Sequence, residues 1–363
     1  MMLYFFCLEA GANTLRLKAI AQQGIGLACD AHVFNERVLM KYIPLKAQRW
    51  LTPLWSAGPS LTLVGLMMVC DLAACLAAMM FDARQITGVN AWLKPAKFGL
   101  SSAVTCLTLA WIAGYLGDWP RIRNWSGKIF ATSIAIEIIV IDMQAGRGTT
   151  SHFNTATPFD RAAFIVMGVS ICTLWLSMAA MTYALLFQRL KPSSWAWALR
   201  LGLLLSLLGA AGGGFMLRQT PEQRPTTKPA LFGSHTVGAP DGGPGLPIAN
   251  WSEHHGDLRV AHFLGLHAVQ IIPLIGWWLL RKQRLTELQR FRLVWLASGT
   301  YISVFALLTW QALRGQALFE PDRKTLIAAA IALLFAGMGT LLVLLPPAHA
   351  ALHKWARTFE VQI

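Results

Sequence analysis

The sequence predicts an all-α protein: a polytopic membrane helix bundle of about eight transmembrane helices, both termini cytoplasmic, with one long Gly/Pro-rich extracytoplasmic loop. Three observations carry this. Only 13% of the 363 residues are charged and 55% are hydrophobic, whereas soluble domains carry roughly 25% charged residues. Apolar runs near the ~20 residues that cross a ~30 Å hydrocarbon core recur along the chain. Lysine and arginine gather in alternate connections between them.

In chain order, residues 1–39 mix short apolar runs with Glu9, Asp30, His32, Glu36 and Arg37. They show no stable period and lack the layout of a signal peptide. Met40 and the residues after it, Lys41, Tyr42, Ile43 and Pro44, read as a chain start. Residues 1–39 are therefore expected to be a non-native or disordered extension. Residues 40–54 are expected to form a cytoplasmic leader, 55–350 the bundle and 351–363 a cytoplasmic tail. The predicted spans are 61–81, 97–116, 129–144, 162–187, 197–216, 260–280, 291–313 and 326–345. The third is short and carries Glu137 and Asp142.

Orientation follows from the basic residues. With the N-terminus inside, the cytoplasmic side receives Lys41, Lys46, Arg49, Arg121, Arg123, Lys128, Arg189 and Lys191. It also receives the dense set Arg281, Lys282, Arg284, Arg290 and Arg292, then Lys354 and Arg357. This pattern implies an inner (plasma) membrane of bacterial type. Arg200 near the inner end of span five can snorkel. The net charge of +14 is accounted for in this way. A nucleic-acid partner is not expected, because no soluble stretch could present a basic stripe with stacking aromatics. The six cysteines include no CxxC, and Cys70, Cys75, Cys106 and Cys172 lie inside spans, so their expected role is apolar packing.

Span five ends in glycines. Gly209 and Gly213 have the small-xxx-small spacing that lets helices approach closely, read here as packing within the bundle. Residues 219–258 then form the one long loop, rich in Pro and Gly. Leu231, Phe232, Ile248 and Trp251 are expected to anchor it as a lid over the outer mouth.

The functional signal is polar groups where lipid should forbid them. A charge at mid-bilayer costs ~2.5–3.5 kcal/mol on insertion scales, so such residues tend to face a cavity. The candidates are Asp71, Lys97, Glu137, Asp142, Gln144, Arg147, His152, Asn154, Asp257, Arg259, His262, His267 and Gln270. At 1.5 Å per residue, His267 lies ~10 Å below the outer surface. Gln144 shares a helix face with Glu137, whereas Asp142 points roughly 140° away, toward a neighbouring helix. His267 pairs with Gln270, three residues on. His262 is expected to meet the loop or span four. Asp71 with Lys97, and Arg147 with Asp142 or Asp160, could be structural ion pairs. Together these groups point to one outward-opening cavity built from spans one, two, three and six.

The expected partners are the lipid bilayer and a small polar ligand, an ion or protons. No cofactor is expected. The alternatives are a b-type haem protein, with His152 and one of His262 or His267 as ligands, and a metal-dependent hydrolase. For zinc, His152, Asp257 and His262 are the candidate ligands, with Ser151 beside them. His262 and His267 are five residues apart and cannot chelate one ion from a single helix face. His349 and His353 read as an interfacial tail anchored by Trp355.

Overall fold

The computed structural model describes residues 45–218 and 230–345, with side chains from residue 48. The N-terminal extension, the 219–229 part of the long loop, and Lys354, Arg357, His349, His353 and Trp355 lie outside the described residues. The helices are α1 (Leu45–Ala57), α2 (Pro59–Phe81), α3 (Leu93–Ala113), α4 (Pro120–Gly146) and α5 (Pro158–Phe187), followed by α6 (Ser193–Gly212), which runs into a 3-10 turn. Then come α7 (Leu258–Leu266), α8 (Ala268–Leu280), α9 (Glu287–Leu313) and α10 (Arg323–Leu344). Two small antiparallel ribbons complete the fold: β1 (Gln85–Ile86) with β2 (Val89–Asn90), and β3 (Thr236–Val237) with β4 (Gly256–Asp257). Among the described residues, seven helices are long and apolar enough to cross a membrane, or eight if α7 and α8, bent by 48° to each other, are one span.

Local chemistry sets the ends of these helices. Proline occupies the first turn of α2, α4 and α5, where a missing N–H costs nothing. Thr157, Asp257 and Asp322 cap α5, α7 and α10 through their side chains, and Thr286 with Gln289 forms a capping box on α9. The described part of the expected leader, from Leu45, is helical. It forms α1, which packs beside α2 and α3 and buries Leu54 and Ala57.

The helices pack as two groups. Helix α2 lies against α3 and α4, and α4 against α5; α6 lies against α7, α8 and α9, with α10 on α9. Within the second group the backbones touch. A Cβ on Gly209 would stand 2.2 Å from the carbonyl carbon of Gly265, and one on Gly276 would stand 2.4 Å from the Ala198 Cβ. A Cβ on Gly202 would meet Pro273 at 2.8 Å. Gly209 thus packs within the bundle, as its spacing predicted.

Span six corrects an expectation: it is broken rather than continuous. At His267, φ is −81° and ψ is 3°, off the helical region. Two carbonyls at the break accept from side chains: Tyr301 Oη donates to Leu264 O, which also accepts from His267 N, and Ser206 Oγ donates to Leu266 O at 2.8 Å. Side chains from neighbouring helices are what let a helix break at membrane depth.

The bundle has two unlike ends. One carries the β1–β2 turn, the 147–157 connection, the 230–257 segment and the α9–α10 connection. These touch through Arg84 to Gly146 O, Asn154 to Leu231, and Gly256 against Ala312. This is called the loop-rich end. The opposite end holds the short α3–α4, α5–α6 and α8–α9 connections, tied by Gln188 to Asp118 and Ser194 to Glu287. The main apolar core, including Leu109, Ile112, Leu116, Leu199, Leu203 and Leu279, fills the bundle toward that opposite end.

Candidate functional site

The most unusual polar group is Glu137, on α4. It is 1% exposed, and neither carboxylate oxygen accepts a hydrogen bond among the described residues. Its Oε1 lies 3.4 Å from His152 Nε2. The other ring nitrogen, Nδ1, lies 3.0 Å from Lys94 Nζ and 3.1 Å from Ser151 Oγ. Lys94 has only donors in its charged form, so Nδ1 accepts and Nε2 carries the hydrogen toward Glu137. His152 reaches this position because the α4–α5 connection turns sharply, with Gly148 at φ 71° and Phe153 at φ 62°. The ring lies between those of Phe98 and Phe153, with centroids 5.6 and 6.1 Å away. Burial, and after it the positive charge of Lys94, holds the His152 imidazole well below its usual value, so the ring is neutral.

Lys94 begins α3 and was not expected at the site. The predicted span began at Lys97, one turn further on, which hid the shared face. Lys97 itself donates to Ala249 O at 2.8 Å, so it holds the 230–257 segment and forms no ion pair with Asp71. Asp71 instead faces α4, where Asp142 also points, as the helical phase predicted. One oxygen from each of these carboxyl groups and the sulfur of Cys75 lie within 4.8 Å of one another. Asp71 Oδ2 and Asp142 Oδ1 lack hydrogen-bond partners among the described residues.

His267 stands at the break in span six. Its Nδ1 donates to Gln270 Oε1 at 3.1 Å, the pairing expected from their spacing, and Ser101 Oγ lies 3.4 Å from Nε2. His262 departs from expectation. It turns to α6 rather than to the loop or span four, and its Nδ1 donates to Gly209 O at 2.8 Å. Gly213 leaves room for it, since a Cβ there would come within 2.9 Å of the ring.

The remaining candidates brace the loop-rich end. Gln144 Nε2 donates to Asp160 Oδ1 at 2.9 Å, Arg147 to the same oxygen at 2.6 Å, and Thr157 Oγ1 to Oδ2 at 2.6 Å. This knot joins α4 to α5, so Arg147 pairs with Asp160 and Gln144 does not join Glu137. Asn154 Nδ2 donates to Thr149 Oγ1 and Thr150 O, both at 3.0 Å. Asp257 caps α7 while pairing with Arg259 at 2.6 Å and accepting from Ser252 N at 2.8 Å. With both its oxygens engaged, Asp257 does not form a ligand set with His152 and His262. Among the described residues, the one cluster of ligand-type side chains with all atoms within 4.8 Å is Asp71, Cys75 and Asp142.

The 230–257 segment is held by backbone bonds rather than the expected apolar anchors. Thr155 N donates to Ala230 O and Phe232 N to Phe153 O, each at 2.8 Å. Leu231, Phe232 and Ile248 are exposed, and only Trp251 of that set packs on a ring, that of Phe263 at 5.9 Å. A second unforeseen pair orders the turn: His235 Nδ1 donates to Asp241 Oδ2 at 2.8 Å, and the amides of His235 and Thr236 donate to the same carboxylate. Burial raises the Asp241 carboxyl, but the His235 ring and these amides outweigh it and hold it below the usual carboxylate range. No family model, curated protein or solved structure matches the chain.

Proposed function

We propose that this integral membrane protein binds and moves a small polar ligand, an ion or protons through a polar site at its loop-rich end, and that this end faces away from the cytoplasm of an inner membrane. One observation carries the reading: Glu137 is enclosed by the bundle with no hydrogen-bond donor on either oxygen, beside His152 and near Lys94. A buried carboxylate without partners is costly, and it persists in membranes mainly where a proton, ion or ligand meets it. The break at His267 supports the reading, since broken helices at membrane depth recur at transport sites. The 230–257 segment, fastened through Lys97 and Arg259 to Ala249 O and Asn250 O, would cover the site as a lid.

Orientation rests on the charges. At the loop-rich end Arg84, Arg147, Arg259 and Arg314 each pair with an aspartate. At the opposite end Arg281, Lys282 and Lys128 lie over Trp277, Trp278 and Trp125, and Arg200 snorkels to Leu185 O and Gln188 O. An excess of lysine and arginine near the ends of spans marks a cytoplasmic face, and the opposite end also carries Arg121, Arg123, Arg189, Lys191, Arg284, Arg290 and Arg292.

The test is flux in liposomes holding purified protein and a pH-sensitive dye. Wild-type protein is expected to dissipate an imposed pH gradient at least tenfold faster than protein-free vesicles. Glu137→Gln should remove that excess, and Gly243→Ala in the open loop should keep it. Equal flux in wild-type and Glu137→Gln vesicles, or no flux above empty vesicles, would overturn the proposal.

A further inference from the structure

We infer that Lys94, His152 and Glu137 form a proton relay between the loop-rich surface and the membrane interior, with the imidazole as the two-sided carrier. The inference rests on the reading of Glu137 as the site's central group and specifies protons as the cargo. Three facts support it. The three groups stand in a row: Lys94 Nζ lies 3.0 Å from His152 Nδ1, and Nε2 lies 3.4 Å from Glu137 Oε1, a gap that a small approach of the ring would close into a hydrogen bond. The row runs inward: Lys94 is the second residue of α3 at the loop-rich end, whereas Glu137 lies ~13 Å along α4 from that end at 1.5 Å per residue. Finally, Glu137 is the one member with unused acceptor capacity on both oxygens.

The transfer balances without any co-reactant. A Lys94 N–H bond breaks as an N–H bond forms at His152 Nδ1, while the Nε2–H bond breaks and an O–H bond forms at Glu137 Oε1. The ammonium becomes an amine and the carboxylate a carboxylic acid, with the imidazole neutral before and after. A separated buried ion pair thus collapses to two neutral groups, which low polarity favours. The ring is left as the other tautomer. Ser151 Oγ, 3.1 Å from Nδ1, is placed to accept a hydrogen bond from the N–H that the transfer leaves there. Other charged and titratable neighbours are Lys97, Arg259 and Asp241 around Lys94, and His235 and His262 around His152. None of them stands between the three members.

The relay has a readout separate from transport. Infrared spectra of the purified protein in lipid should show a protonated-carboxyl band that Glu137→Gln removes. The rate at which that band shifts on transfer to deuterium oxide reports proton access to Glu137. His152→Phe keeps a ring but no nitrogens, and should slow the shift at least tenfold with unchanged circular dichroism. Lys94→Met should slow it similarly, and it reads the same step if His152→Phe does not fold. Slowed exchange in a protein that shows no flux would keep the relay and remove the transport reading. Exchange as fast in both variants as in wild type would overturn the relay, even with Glu137-dependent flux intact. So would the absence of any band assignable to Glu137.

Discussion

At the scale of single residues, two buried carboxylates of the same region make opposite contributions. Asp160 accepts from Gln144, Arg147 and Thr157, and it also orders the first turn of α5. Glu137 accepts from nothing. Charge-assisted bonds are worth ~1.5–3 kcal/mol each, and a buried charge without them costs stability. Asp160→Asn is therefore expected to lower the thermal unfolding temperature in detergent, by a destabilisation of ~2–3 kcal/mol. Glu137→Gln should leave that temperature unchanged or raise it. A Glu137→Gln protein that unfolds as readily as Asp160→Asn would show that Glu137 has a structural partner after all. The sequence singled out Glu137 as an ionisable group in an apolar run and His152 as part of the polar segment that follows span three. It did not bring Lys94 to them. That contact joins positions 58 residues apart and depends on a left-handed backbone at Phe153, which no periodicity announces.

At the scale of elements, helix lengths were legible and helix shape was not. A run of apolar residues reports that a span exists, since it must match the hydrocarbon thickness. Whether that span stays straight depends on what its neighbours offer. Nothing between Val260 and Leu280 except Pro273 signals a break, and the bend falls at His267, six residues earlier. What accommodates it lies on other helices, in the hydroxyls of Ser206 and Tyr301 that donate to Leu266 O and Leu264 O. The crossing of α6 and α7 fixes the same region, because Gly209 and Gly265 meet backbone to backbone. Interfaces of this kind tolerate no added volume, and overpacking costs ~1–3 kcal/mol. Gly209→Val should therefore destabilise by at least that much. It should also displace His262, whose ring bonds to the Gly209 carbonyl. Gly214→Val, where an added Cβ meets nothing within 4 Å, should be near neutral. Equal unfolding temperatures for the two valine variants would mean that the close crossing does not hold the helices together.

At the scale of the whole molecule, polarity is sorted along the bundle. The dry core fills the end with short connections, and the uncompensated acids, histidines and paired arginines collect toward the other. That sorting was partly legible in the spacing of lysines and arginines. The pairing of each loop-rich arginine with an aspartate was not, because aspartates are spread along the whole chain. The pairing does not itself decide orientation, which follows the excess of lysine and arginine near the span ends rather than net charge. The expected arrangement can be read with single cysteines in a background where all six native cysteines, Cys7, Cys29, Cys70, Cys75, Cys106 and Cys172, are replaced by alanine. Gly243 in the 230–257 segment and Gly117 in the α3–α4 connection are suited to this, because an added Cβ meets nothing within 4 Å at either position. Gly243→Cys should react with a membrane-impermeant maleimide in intact cells, and Gly117→Cys only after the membrane is opened. The reverse pattern would turn the bundle over, placing Lys94 and the approach to Glu137 on the cytoplasmic side. Proton flux would then be expected to respond to internal rather than external blocking of the loop-rich face.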